Sequence, residues 1–212
     1  DGFTALKNKD ISTALRLLIP IAERGDVNAQ RLLGLIYGDG IEVTQDHKLS
    51  VKYFTLAAVQ GDFMAQYHLG EKYEFGLGVI QDYTIASKWY LLSAEQKFSL
   101  AQFRLGDLYT SGLGVRQDYR TALKWYTLAA EQGFDRAQFN LGVMHEEGKG
   151  VEINYRASIK WYTAAAEQGL AEAQFNLGLI YYFGKGIQSD YKSAFKWYSL
   201  AAEQGYAAAQ YN

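Results

Sequence analysis

The dipeptide Ala-Gln returns every 36 residues, at Ala29-Gln30, Ala65-Gln66, Ala101-Gln102, Ala137-Gln138, Ala173-Gln174 and Ala209-Gln210. No other feature constrains the fold as tightly. A unit of this length cannot bury its apolar face alone and has to stack on its neighbours. No Pro/Ser-rich stretch or charge run breaks the period in the 212 residues, so the chain reads as one continuous repeat domain. Five units follow, 25–60, 61–96, 97–132, 133–168 and 169–204.

The first half of each unit reads A-Q-x-x-L-G-x-x-Y, as in Ala65, Gln66, Leu69, Gly70 and Tyr73. At about 100° per residue the alanine, leucine and tyrosine share one stripe of an amphipathic helix, the A helix. A mid-helix glycine costs about 1 kcal/mol relative to alanine. It nevertheless recurs at Gly34, Gly70, Gly106, Gly142 and Gly178, which implies that another helix approaches the backbone there.

A G-x-G loop follows at Gly76-Leu77-Gly78, Gly112-Leu113-Gly114, Gly148-Lys149-Gly150 and Gly184-Lys185-Gly186, with Glu42 in place of the second glycine in the first unit. It lacks the third glycine, the G-K-[ST] run and the preceding strand of a phosphate-binding loop, so helix termination by left-handed residues is the better reading. The second half reads D-Y-x-x-A-x-K-W-Y-x-x-A-A-E-Q-G and forms the B helix. Asp46, Asp82, Asp118, Asn154 and Asp190 are its expected N-caps, and Gly61, Lys97, Gly133, Gly169 and Gly205 follow its end. The tryptophans, Trp89, Trp125, Trp161 and Trp197, hold one repeat position in the expected core stripe.

These motifs closely resemble the Sel-one-like repeat (SLR) family, a branch of the tetratricopeptide-like α-solenoids, over residues 25–205. The resemblance implies an all-α fold, a right-handed α/α superhelix of 36-residue helix-loop-helix repeats. It further implies a bacterial adaptor in protein complexes, periplasmic or secreted. Disulfide-rich bacterial relatives are described as β-lactamase-like, and the absence of cysteine sets this chain apart from them.

Residues 1–24 resemble a shortened N-terminal capping unit, with Leu17 and Leu18 where later units carry Trp-Tyr and with Pro20 expected to kink its helix. Residues 206–212 begin a sixth, truncated repeat, so the chain reads as a fragment that could associate end to end through that unit.

Little in the sequence supports catalysis or a cofactor. His47, His68 and His145 sit at three different repeat offsets with no ligand-spaced companions, so no metal site is expected. S-x-x-K occurs at Ser189–Lys192 and Ser193–Lys196 without S-D-N or K-T-G, which argues against a β-lactamase-like enzyme. A net charge of −2 disfavours nucleic acid, and no apolar run is long enough for direct membrane insertion. Lys52, Lys88, Lys124, Lys160 and Lys196 form a column whose stems can lie on neighbouring aromatics.

Function is therefore expected on the A-helix face turned away from the core stripe, at offsets −1, +2, +6, +9 and +10 from the repeat alanine. These offsets carry Met64, Tyr67, Glu71, Glu74 and Phe75, then Leu100, Phe103, Asp107 and Thr110. They continue with Arg136, Phe139, Val143, Glu146 and Glu147, then Phe175, Leu179, Tyr182 and Phe183. Tyr67, Phe103, Phe139 and Phe175 make an aromatic row that either lines a groove or packs between A helices. The expected function is a non-enzymatic scaffold whose concave, acid-rimmed groove binds a protein or peptide with apolar and basic side chains. A structural part in a larger envelope or membrane-associated assembly is the alternative.

Overall fold

The chain folds, in a computed structural model, into thirteen helices among the described residues, 1–211, with the side chains of Phe3 and Tyr211 left aside. They are α1 (Gly2–Lys7), α2 (Ile11–Glu23), α3 (Val27–Asp39), α4 (His47–Ala58), α5 (Phe63–Phe75), α6 (Tyr83–Glu95) and α7 (Ser99–Ser111). There follow α8 (Tyr119–Glu131), α9 (Asp135–Glu147), α10 (Tyr155–Glu167), α11 (Ala171–Phe183), α12 (Tyr191–Glu203) and α13 (Ala207–Tyr211). No strand occurs among the described residues, and the fold class is the all-α tandem repeat expected. The odd-numbered helices from α3 to α11 are the A helices and the even-numbered ones from α4 to α12 the B helices. Residue 212, the last of the expected sixth unit, lies outside the described residues.

The chain forms two compact units. One holds residues 1–101 with 113–115, the other residues 102–112 and those from 116 onward.

Helix ends follow from their capping chemistry. Asp46, Asp82, Asp118, Asn154 and Asp190 each accept a backbone N–H from the first turn of their B helix. Lys97, at φ 67°, takes the left-handed position that glycine fills in the other units. Pro20 lies inside α2 without ending it.

Two sequence expectations about the core change. The most buried large side chain of each B helix is the aromatic after the tryptophan position: Tyr90 and Tyr162 are 0% exposed, Tyr126 2% and Tyr198 9%, with Phe54 and Leu18 in the same place in earlier units. The tryptophans are half-buried on its flank. Trp161, for example, lies against a cluster built by α8 and α9 that includes Tyr126, Ala129, Ala137 and Leu141. The mid-helix glycines correspondingly meet a ring rather than a helix backbone. A Cβ on Gly70 would fall 2.6 Å from the Tyr90 ring and one on Gly142 2.5 Å from that of Tyr162. Burying a large side chain contributes roughly 1.5–3 kcal/mol, more than the helix loses by carrying glycine.

The two glutamines of the repeat join in a relay, a buried one on the A helix and an exposed one after the B helix. Gln66 Nε2 donates to the Ala58 carbonyl at the end of α4, while its Oε1 accepts from Gln96 Nε2 at 2.8 Å. Gln138 does the same with Ala130 and Gln168, and Gln174 with Ala166 and Gln204. Each relay adds a second donor to a helix-terminal carbonyl that already accepts a backbone N–H, from Gly61, Gly133 or Gly169.

The second glycine of the loop has a separate cause. At Gly150, φ is 72° and a Cβ would fall 2.5 Å from the Tyr119 carbonyl carbon, so the loop rests on the start of the preceding B helix.

Candidate interaction face

One place in the repeat is hollow. Between the C-terminal half of an A helix, its B helix and the next A helix lies a cavity of about 420 Å³ at α3, α4 and α5. Its equivalent at α9, α10 and α11 measures about 380 Å³. A third, of about 520 Å³, is lined by α11 and α12.

The linings differ while the framework repeats. In the α9–α11 cavity Tyr162 donates its hydroxyl to Glu146 at 2.9 Å, Lys185 Nζ reaches the other Glu146 oxygen at 2.7 Å, and Asn176 donates to the Tyr162 oxygen at 3.2 Å. Burial and then the Glu146 charge push the Tyr162 phenol far above its usual pKa. The α11–α12 cavity is aromatic, with Tyr182, Phe183, Tyr191 and Phe195 all exposed.

The residues expected at a groove fall into four sets. Glu71, Phe75, Val143, Glu146, Glu147, Leu179, Tyr182 and Phe183 line these cavities. Tyr67 is buried, and Phe103, Phe139 and Phe175 are half-buried. Their rings tilt onto Tyr90, Tyr126, Tyr162 and Tyr198 with centroids 5.6–5.8 Å apart. Phe103 further meets Phe134 at 5.0 Å, so this row carries packing duty. Met64 and Arg136 are exposed and Leu100 is half-buried, outside the three cavities.

The acidic positions carry fold duty as well. Glu74 accepts the Tyr90 hydroxyl, and Asp107 accepts that of Tyr126 at 2.7 Å. Thr110 donates to the Gly106 carbonyl.

Catalytic chemistry finds no support in the side chains that suggested it. Ser193 Oγ donates to Asp190, its own N-cap, and Lys196 lies over Trp197 at 5.0 Å. No group of three or more potential metal ligands occurs among the described residues. No helix there is long and apolar enough to cross a membrane.

Comparison with known proteins matches the Sel1 repeat family model to residues 27–62, 63–98, 99–134, 135–170 and 171–206. The chain belongs to the Sel1 repeat family. A crystal structure of a Sel1 repeat protein from Oxalobacter formigenes is 33% identical, with a TM-score of 0.92 over 98% of this chain and 86% of that one. The protective antigen c5321 of uropathogenic Escherichia coli, displaying an SLR fold, is 36% identical with the same TM-score over 95% of this chain. This Sel1 repeat chain spans 43% of that antigen's length. The immunity protein Pa5087 of Pseudomonas aeruginosa, 19% identical with a TM-score of 0.52 over 86% of this chain and 67% of its own, shares the fold alone. No curated protein matches. Sel1 repeat proteins are generally protein-interaction scaffolds built on a non-catalytic fold.

Gly38 and Asp39 stand at offsets +9 and +10 of the first unit, which the expected face did not include, and the cavity residues His47, His68, Lys72 and Lys185 lie at other offsets. A signal was there for Lys72. It stands in a column that reads Ile36, Leu108, Met144 and Ile180 elsewhere.

Proposed function

We propose that this Sel1 repeat protein is a non-enzymatic adaptor whose A-helix face binds an extended or helical peptide, with the cavities between repeats receiving its side chains. One observation carries the reading: framework residues recur from unit to unit while the cavity linings change from polar and charged to aromatic. A position with no framework role is free to specify a ligand, and concave sites with apolar walls and a few polar groups are where side chains anchor. Exposed Phe75 and Glu147 occupy the same repeat position at two of the cavity mouths. Acid at these mouths favours peptides that carry basic side chains beside apolar ones.

The test selects peptides from a displayed library on the wild-type protein and measures their affinity for variants. Phe75→Ser and Glu147→Lys are expected to weaken the selected peptides at least tenfold. Leu128→Ser, an exposed change on α8, is expected to leave them unaffected. Equal loss at all three positions, or loss at Leu128 alone, would place the binding face elsewhere.

A further inference from the structure

Lys72 is 8% exposed in a repeat position that is otherwise aliphatic and buried. Desolvation lowers its pKa, and the charges of Asp39 and Glu71 partly offset this. Among the described residues no hydrogen bond or ion pair reaches its ammonium, although it lines the 420 Å³ cavity. The lysine stem is buried while its ammonium faces the cavity, and the equivalent cavity shows how this fold pairs such a group. There Lys185 is held by Glu146, which is itself held by Tyr162.

In the first cavity those partners are missing. Gly38 stands at the position of Glu146, Phe54 at that of Tyr162, His68 at that of Asn176 and Leu77 at that of Lys185. A Cβ on Gly38 would fall 3.2 Å from Lys72 Nζ, so the ammonium borders the space that Glu146 fills in the later unit. At the place where the later unit sets Glu146 against its lysine, the first cavity has no side chain, and its carboxylates, Asp39 and Glu71, stand at other positions of the lining. An incoming carboxylate would complete the same pair.

The rim constrains what that carboxylate belongs to. Asp39 is exposed at the mouth, and Glu71 lies beside it, accepting from Tyr67 at 2.9 Å and paired with His68 Nδ1 at 2.9 Å. A simple anion would meet both negative charges, whereas a ligand with an ammonium next to its carboxylate would pair with each sign. Phe54, Phe75, Leu35 and Leu77 supply apolar wall. We propose that the cavity between α3, α4 and α5 is a binding site for a free α-amino acid, its carboxylate on Lys72 and its ammonium toward Asp39. The site goes beyond the peptide-binding reading and stands if that reading fails.

Thermal shift of the wild-type chain with each free L-amino acid at about 10 mM identifies a binder by mass action, and calorimetry measures it. Lys72→Met, which installs the residue of position 144, and the exposed change Asp39→Asn are each expected to weaken it at least tenfold. Both are expected to keep the wild-type circular dichroism. The N-acetylated amino acid, a mimic of a peptide C-terminus, and the corresponding decarboxylated amine are expected not to bind. No shift with any amino acid, unchanged affinity in Lys72→Met, or binding of the N-acetylated form in preference to the free one would each overturn the proposal. Peptide selection on Phe75→Ser and Glu147→Lys reads out separately, so the two conclusions can fail independently.

Discussion

Tyr162 lays its ring on the bare Cα of Gly142, 2.5 Å from where a Cβ would stand. One turn further along α9 the same residue donates its hydroxyl to Glu146. The glycine is therefore half of a socket, and the tyrosine fills it from α10.

Gly142→Ala should accordingly destabilise the protein although alanine is the better helix former. The gain in propensity is about 1 kcal/mol, while overpacking a fixed ring costs about 1–3 kcal/mol. Urea unfolding followed by circular dichroism should show a lower midpoint. A higher midpoint would mean that the ring can move aside.

Truncating the buried ring should matter more than truncating the larger indole beside it. Tyr162→Ala is expected to cost about 3–5 kcal/mol, as full core truncations do. Trp161→Ala, at a half-buried site, should cost clearly less. Tyr162→Phe isolates the hydroxyl and should cost about 1 kcal/mol. Thermal melts of the three variants give the order directly, and a Trp161→Ala loss exceeding that of Tyr162→Ala would reverse the core assignment.

Gln138→Ala should remove one of the bonds accepted by the Ala130 carbonyl and one of those donated by Gln168 Nε2, while the Gly133 contacts of both remain. A lost hydrogen bond whose groups keep other partners costs about 0.5–1.5 kcal/mol. Hydrogen exchange should rise first at the α8–α9 turn and the end of α10. Uniform exchange throughout the second unit would show that the relay is not a local clasp.

His145 holds a repeat position filled by tyrosine in the other full units, and its Nδ1 is buried without a partner. Burial lowers its pKa from the ordinary 6.5. The folded state then resists a proton that the unfolded chain accepts, so stability falls as pH drops below about 6.5 and is unaffected above it. His145→Tyr should remove this loss, and the gap between the two melting curves should widen between pH 7.5 and 5. A constant gap would mean that the imidazole titrates normally in the fold.

The period, helix positions and caps were legible because each depends on local chemistry that the sequence repeats. Asp118 can cap α8 whatever packs on it. The exchange of roles between Trp125 and Tyr126 was not legible. Adjacent residues on a helix differ by about 100°, and only the arrangement of neighbouring helices decides which points inward. The face residues were harder still. Phe103 and Asp107 look unemployed in the repeat pattern, yet both bond or pack to Tyr126, across an interval that no helical period reveals. The cavity around Lys72 depends on four substitutions at Gly38, Phe54, His68 and Leu77 that converge only in space.

The glutamine relay makes length a quantised property of this chain. Its partners stand 30 residues apart within a unit and 8 apart across a turn, so inserting one residue in either interval would misalign the clasp that spans it. Excising a whole period, such as residues 135–170, would instead present Gln174 with the carbonyl of Ala130 in place of that of Ala166, one alanine for another. Such a chain keeps its clasps in register through duplication or loss of entire units, whereas a single-residue insertion breaks the one it falls within.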